Sequence, residues 1–301
     1  MTETAAIMTR DLVKFYGDFQ ALYGVDLDVK QGEIFGFLGP NGAGKTTTIR
    51  CLLDLIRPNG GTVRVMGIDP QADPVAVRTH VGYLPGELHL DENRTVEASL
   101  RYFNDLRDGA ADWDFVNQLA ERLDLDLKHT IKNLSKGNKQ KVGVMQALMH
   151  RPKLLIMDEP TSGLDPLMQQ EVHRLIQEAR DGGATLFFSS HVMSEVEAVA
   201  GRVGIIRQGR VVEVAETSSL INRALRRVHV RFRESMDGGR LADVPGVTIL
   251  SQDDGQGIML QVAGEMDGLI KALAEFPVID FETYRPSLEE IFLAYYEADR
   301  E

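Results

Sequence analysis

The chain has 301 residues, 43% apolar and 26% charged, the composition of a soluble globular protein rather than a disordered, collagen-like or disulfide-stapled one. A formal net charge of -12 with no basic run to offset it would repel a phosphate backbone, so nucleic acid is not an expected partner. Cys51 is the only cysteine, no stretch approaches the roughly 20 apolar residues of a membrane helix, and Met1-Thr2-Glu3-Thr4 lacks the basic start of a signal peptide; a cytosolic chain that meets membranes only through a partner is expected.

In chain order, the pattern predicts a short strand from Asp11, a turn at Gly17-Asp18 and a second strand over Val25 to Val29, closed by Gln31-Gly32. Ile34-Phe35-Gly36-Phe37-Leu38 is an apolar run of the kind buried on both faces of a sheet, and a glycine-rich loop follows it. A helix over Thr46 to Leu55 ends at Arg57-Pro58-Asn59-Gly60-Gly61, and Val63 to Val65 form a further short strand. From about Thr95 to His150 the pattern is helical, with Phe115, Leu119 and Leu123 four apart on one face, which predicts a helical subdomain over about residues 86–150 inserted in an α/β core. Strand Leu154 to Met157, helix Pro166 to Ala179 and strand Thr185 to Phe188 then make a βαβ unit.

Thr217 to Arg227 is read as a junction. Beyond it, Val228, Val230 and Phe232 alternate with basic residues as a half-buried strand, followed by strands at Val247 to Leu250, Ile258 to Val262 and Val278 to Thr283 and a helix over about Asp267 to Glu275. A last helix is predicted from Ser287, with Glu290 completing a capping box and Leu288, Ile291, Phe292 and Tyr295 on its apolar face. The expected organisation is an α/β domain over residues 1–220 and a small α+β domain over residues 221–301.

Gly39-Pro40-Asn41-Gly42-Ala43-Gly44-Lys45-Thr46 fits the P-loop pattern GxxxxGK[ST] between a predicted strand and a helix, the context that pattern requires. Its glycines let the backbone wrap a polyphosphate, and the N–H groups and helix N-terminus supply positive potential. Lys45 then bridges the β- and γ-phosphates, Thr46 holds Mg²⁺, and Thr47 adds a second hydroxyl. Asp158-Glu159 emerge at the C-terminal end of a buried strand, where ligands gather in open α/β sheets. Asp158 is expected in the Mg²⁺ shell and Glu159 beside the water that attacks the γ-phosphate.

Four further segments narrow the P-loop class. Leu134-Ser135-Lys136-Gly137-Asn138-Lys139-Gln140 resembles the signature of ATP-binding cassette (ABC) ATPases, Pro160-Thr161-Ser162-Gly163-Leu164-Asp165 their D-loop, Ser189-Ser190-His191 their switch histidine, and Phe15-Tyr16-Gly17 the loop whose aromatic ring stacks on adenine. Their shared order over Asp11 to about Glu216 resembles the ABC family. That resemblance implies the ABC-type P-loop NTPase fold: a mixed-sheet core with an inserted helical subdomain. It also implies two ATP molecules between two head-to-tail cassettes, with Ser135, Gly137, Asn138 and Asp165 serving the partner's nucleotide and His191 sensing the γ-phosphate. Two departures stand out: Lys136 and Asn138 replace the family's glycine and glutamine, and Gly86 stands where the family carries the Q-loop glutamine.

The ending Pro286-Ser287-Leu288-Glu289-Glu290-Ile291-Phe292-Leu293-Ala294-Tyr295-Tyr296 resembles that of daunorubicin- and tetronasin-resistance-type export ATPases. This implies a subunit powering a separately encoded permease that exports drugs or other amphipathic small molecules, peripheral at the cytoplasmic face of the cell membrane. The rival readings are an importer ATPase with a regulatory tail and a non-transport ABC switch; the latter usually carries two cassettes or a long inserted coiled coil, and neither is present.

Overall fold

The structure is a computed structural model that describes residues 5–109, 111–223, 226–234, 239–253 and 256–284. The helix predicted from Ser287, with Leu288, Ile291, Phe292 and Tyr295 on its apolar face, lies outside the described residues. Contacts divide the chain into two units, Met1–Glu216 and Thr217–Glu301.

The first unit begins with β1 (Ala5–Tyr16) and β2 (Phe19–Lys30), an antiparallel hairpin in which Val25, Leu27 and Val29 alternate inward with the two-residue period of a half-buried strand. β1 starts earlier than Asp11. Asp11 sits inside it with φ 47° at a register shift, its N–H held by Asp26 Oδ1 at 2.7 Å, and this polar bulge reads in sequence as a strand start. There follow β3 (Ile34–Leu38), α1 (Lys45–Leu52), β4 (Gly60–Val65), α2 (Pro74–His80) and β5 (Val81–Leu84), with β4 pairing on the free edge of β1. Side-chain caps from Asp73, Thr95 and Asp112 open α2, α3 (Val96–Asp105) and α4 (Trp113–Arg122), each accepting from a backbone N–H of the first turn. The unit continues through α5 (Lys136–Leu148), β6 (Leu154–Asp158), α6 (Pro166–Asp181), β7 (Thr185–Ser190), α7 (Met193–Val199), β8 (Arg202–Arg207) and β9 (Arg210–Glu216).

A six-stranded sheet runs in the order β5-β6-β7-β3-β8-β9, parallel except for the edge strand β9. Every residue of β3, β6 and β7 is buried, as strands covered on both faces must be. Phe187 lies between Phe35 and Phe37, with ring centroids 5.8 and 5.3 Å away. Because β6, β7 and β3 are adjacent and parallel, the segments that follow them all leave the same edge of the sheet. Helices α3, α4 and α5 form the inserted helical region; Arg122 of α4 ties it to the core through Glu171 and Glu178 of α6 at 2.6 Å each.

The second unit contains α8 (Thr217–Arg223), β10 (Arg226–Phe232), α9 (Gly239–Ala242), β11 (Val247–Asp253), β12 (Gly257–Val262), α10 (Asp267–Leu273) and β13 (Val278–Tyr284). Its antiparallel sheet, in the order β11-β12-β10-β13, buries Val228, Val230, Phe232, Ile258 and Leu260 against Leu269 and Leu273 of α10. Among the described residues of the whole chain, no helix is long and apolar enough to cross a membrane.

Replacing Phe187 by Ala removes the ring on which the sheet core is stacked. The expected cost is about 3–5 kcal/mol of unfolding free energy, measured by urea denaturation, and a loss below about 1 kcal/mol would contradict this packing.

Candidate functional site

The loop after β3 closes with Ala43 N–H donating to Pro40 O at 3.1 Å, and the Lys45 ammonium folds back on it, donating to Gly39 O at 2.6 Å and Pro40 O at 3.1 Å. Gly44 is the N-cap of α1 with φ 112°, a conformation that excludes a β-carbon; one placed there would also lie 2.8 Å from Leu22 Cδ2. Lys45 is buried, and that burial lowers its ammonium pKa against the opposing pull of Glu159 and Asp158. Glu159 Oε1 lies 4.0 Å from its Nζ.

Asp158 ends β6 as a buried carboxylate. It accepts the Thr46 hydroxyl on Oδ2 at 2.6 Å and the Ser189 hydroxyl on Oδ1, so the glycine loop, β6 and β7 converge on one side chain. A hydroxyl and a carboxylate brought together beside a phosphate-wrapping loop are hard oxygen donors of the type Mg²⁺ uses, and Thr46 and Asp158 could hold that ion with water completing its shell. Gly86 approaches this carboxylate so closely that a β-carbon on it would lie 3.0 Å from Asp158 Oδ2. The chain thus places bare backbone where the family resemblance leads one to look for a glutamine side chain.

Glu159 has φ 52°, a left-handed backbone that costs a non-glycine residue about 1–3 kcal/mol and recurs at functional positions. Its N–H donates to Ser189 O at 3.1 Å, and its carboxylate faces His191 Nδ1 at 2.9 Å. His191 follows β7 as Glu159 follows β6, so the pair is a direct product of strand order.

A cleft of about 310 Å³ opens above these groups, lined by Tyr16, Phe19, Asn41, Lys45, Thr46 and Glu159 among others, with Gly42, Gly44 and Thr47 on the same wall. Tyr16 and Phe19 flank the β1–β2 turn with their rings largely in solvent, and Lys14 Nζ sits 5.5 Å from the Tyr16 ring centroid. Exposed rings beside a phosphate cradle offer a flat face to a nucleobase. Of Phe15-Tyr16-Gly17, Tyr16 is the residue that lines the cleft, and Phe19, its partner across the Gly17-Asp18 turn, lines it too.

Ser135, Gly137, Asn138 and Asp165 do not line this cleft. Ser135 Oγ caps α5 by accepting from Asn138 N–H at 3.2 Å, so the helix begins at Lys136 and Gly137 lies within its first turn. Gly137 packs on the Gly163 carbonyl, 2.7 Å from where its β-carbon would be. Asp165 caps α6, with Oδ1 accepting from Leu167 N–H at 3.0 Å and Met168 N–H at 3.1 Å. These four residues therefore stand apart from the cleft, with Ser135 and Asp165 spent on capping α5 and α6.

The profile of the family described as ABC transporter matches residues 22–162, and that described as ATP-binding protein DrrA1-3-like, C-terminal domain, matches residues 220–296. The chain is 33% identical to the daunorubicin/doxorubicin resistance ATP-binding protein DrrA of Streptomyces peucetius over 97% of its own length and 92% of that protein. It is 39% identical to the bacitracin transport ATP-binding protein BcrA of Bacillus licheniformis over 69% of this chain and 68% of that one. Among solved structures, an ATP-binding subunit of an ABC transporter superposes with a TM-score of 0.67 at 29% identity, covering 72% of this chain and 92% of its own. A dimeric ATP-binding cassette in a post-hydrolysis state, bound to ADP and Pi, shares the fold with a TM-score of 0.64 at 21% identity over 70% of this chain and 98% of that chain.

Below its lowered pKa the buried Lys45 cation counts against folding, and relief comes only as the pH rises through that pKa. Lys45→Met removes this cost together with two hydrogen bonds to the loop, so without nucleotide it should melt within about 4 °C of the native chain. ATP should raise the melting temperature of the native chain and leave Lys45→Met unmoved; an equal rise in both would contradict the cradle.

Proposed function

Because the chain belongs to the ABC transporter family of ATP-binding proteins, we propose that it is the ATP-hydrolysing subunit that powers a separately encoded membrane permease exporting drugs or other amphipathic small molecules. The observation that carries the hydrolytic part is the convergence of Lys45, Thr46, Asp158, Glu159 and His191 at one edge of the sheet. The export part is supported by full-length relatives named for daunorubicin resistance and by the matching C-terminal domain at residues 220–296. A permease partner would place the chain at the cytoplasmic face of the membrane, held there through protein contacts.

ATP enters with its base against Tyr16 and its phosphates in the loop from Gly39 to Thr47. Lys45 exchanges the carbonyls of Gly39 and Pro40 for the β- and γ-phosphate oxygens, an exchange that returns its charge to an anionic partner. Thr46 and Asp158 would hold Mg²⁺, which would supply positive charge against the phosphate oxygens. Glu159 orients a water and takes its proton as the water oxygen bonds to the γ-phosphorus and the bond to the β–γ bridging oxygen breaks, giving ADP and phosphate. His191 steers this carboxylate through the 2.9 Å contact and is placed to sense loss of the γ-phosphate. A second cassette, an identical chain in the simplest assembly, presents Ser135, Gly137, Asn138 and Asp165 across the nucleotide, so that ATP closes a head-to-tail dimer and hydrolysis reopens it.

Glu159→Gln keeps the shape and removes the proton acceptor. It should bind ATP with native affinity, accumulate as an ATP-bound dimer on size exclusion, and turn over at least about a hundredfold more slowly in a phosphate-release assay. Undiminished turnover would refute the role given to Glu159.

A further inference from the structure

Gln140 has no role in the reading above, yet it is buried in the middle of α5 and its amide reaches out of the helix. Nε2 donates to Glu159 O at 3.0 Å and to Pro160 O at 3.1 Å, which uses both protons of the amide nitrogen. The Glu159 carbonyl also accepts Ser162 N–H at 3.1 Å, closing the turn that follows β6. Helix α5 meets the far end of the same turn as well, where Gly137 packs on the Gly163 carbonyl. The left-handed peptide at Glu159 is thus fastened on one side by β7, through Ser189, and on the other by a helix of the inserted region.

We propose that Gln140 is a positioning residue for Glu159 of its own chain, so that the placement of α5 sets whether the proton acceptor is aligned. This rests on the general-base reading of Glu159. Its neighbours Ser135, Gly137 and Asn138 are assigned to a nucleotide held by a second cassette, but both amide protons of Gln140 are spent on its own chain, and the side chain is buried. A rotation of the helical region that drew α5 away would strip the only side-chain donors from the Glu159 and Pro160 carbonyls recorded among the described residues. The turn would then relax from its left-handed start, and the Glu159 carboxylate would leave His191. Hydrolysis is thereby coupled, within one subunit, to the posture of its helical arm.

The test uses the full chain with Gln140→Met, which keeps the bulk and loses the donors, and Gln140→Glu, which turns an acceptor toward two carbonyls. Both should bind ATP within about twofold of native while turnover falls by about tenfold or more, a loss confined to kcat. Adding an excess of Glu159→Gln chains should not raise the turnover of Gln140→Met, because in every mixed dimer one proton acceptor is misaligned and the other absent. If Gln140 acted across the dimer, both lesions would fall on one site, the other would be intact, and mixing would raise turnover; that rise overturns the proposal. Native turnover in either variant overturns it too, and so does loss of ATP affinity alongside turnover in both, which would assign Gln140 to the fold as a whole. Native turnover in Glu159→Gln alone would instead defeat the general-base reading, whatever the Gln140 variants do.

Discussion

A single buried carboxylate holds the reaction edge of this cassette together. Asp158 accepts hydroxyls from Thr46 and Ser189, so the glycine loop, the strand that carries Asp158 and the strand beside it share one anchor. Burying an ionised carboxylate is tolerable only when its oxygens are satisfied, and here each oxygen has a hydroxyl donor. The next residue, Glu159, inherits its position from this arrangement: its amide is tied to Ser189 O, and its side chain emerges toward His191 and Lys45. Gly86 brings bare backbone against the same carboxylate, close to the oxygen that accepts the Thr46 hydroxyl.

Around that anchor the chain accepts several local costs. Lys45 is desolvated, Glu159 holds a left-handed backbone, and the rings of Tyr16 and Phe19 stand in solvent. None of these helps the chain fold, and each has a reason once a nucleotide is present: a buried cation is strong against phosphate, a fixed turn aims a carboxylate, and exposed rings take a base. The supporting stability lies behind them, in strands β3, β6 and β7, which are buried along their whole length and stacked through Phe35, Phe37 and Phe187. Function at the edge and packing in the centre are thus carried by the same three strands.

The parts legible in sequence were those written in local pattern. The apolar runs at Ile34 to Leu38 and Leu154 to Met157 announce strands buried on both faces, and the glycine spacing from Gly39 to Thr46 announces the cradle. Elements with mixed patterns escaped: α2, β5, α7, β8 and β9 are four to seven residues long, too short for a periodicity to stand out, and the outward valines 212 and 214 of the edge strand β9 blur any single face. The roles of Gln140, Ser189 and Glu195 were hidden for a different reason. Each is a polar side chain whose role comes from distant partners: Gln140 from carbonyls 19 and 20 residues away, Ser189 from Asp158, and Glu195 from the hydroxyl of Thr161. No spacing rule brings such pairs together before the strand order is known.

Asp158 is the shared anchor of loop, ion and turn, and ATP affinity measured with Mg²⁺ and with a chelator tests this most directly in an Asp158→Asn chain. The change keeps the size and an acceptor for one hydroxyl while removing the charge. The prediction is native affinity in chelator and loss of the strengthening that Mg²⁺ gives the native chain. An undiminished Mg²⁺ effect in Asp158→Asn would contradict the account.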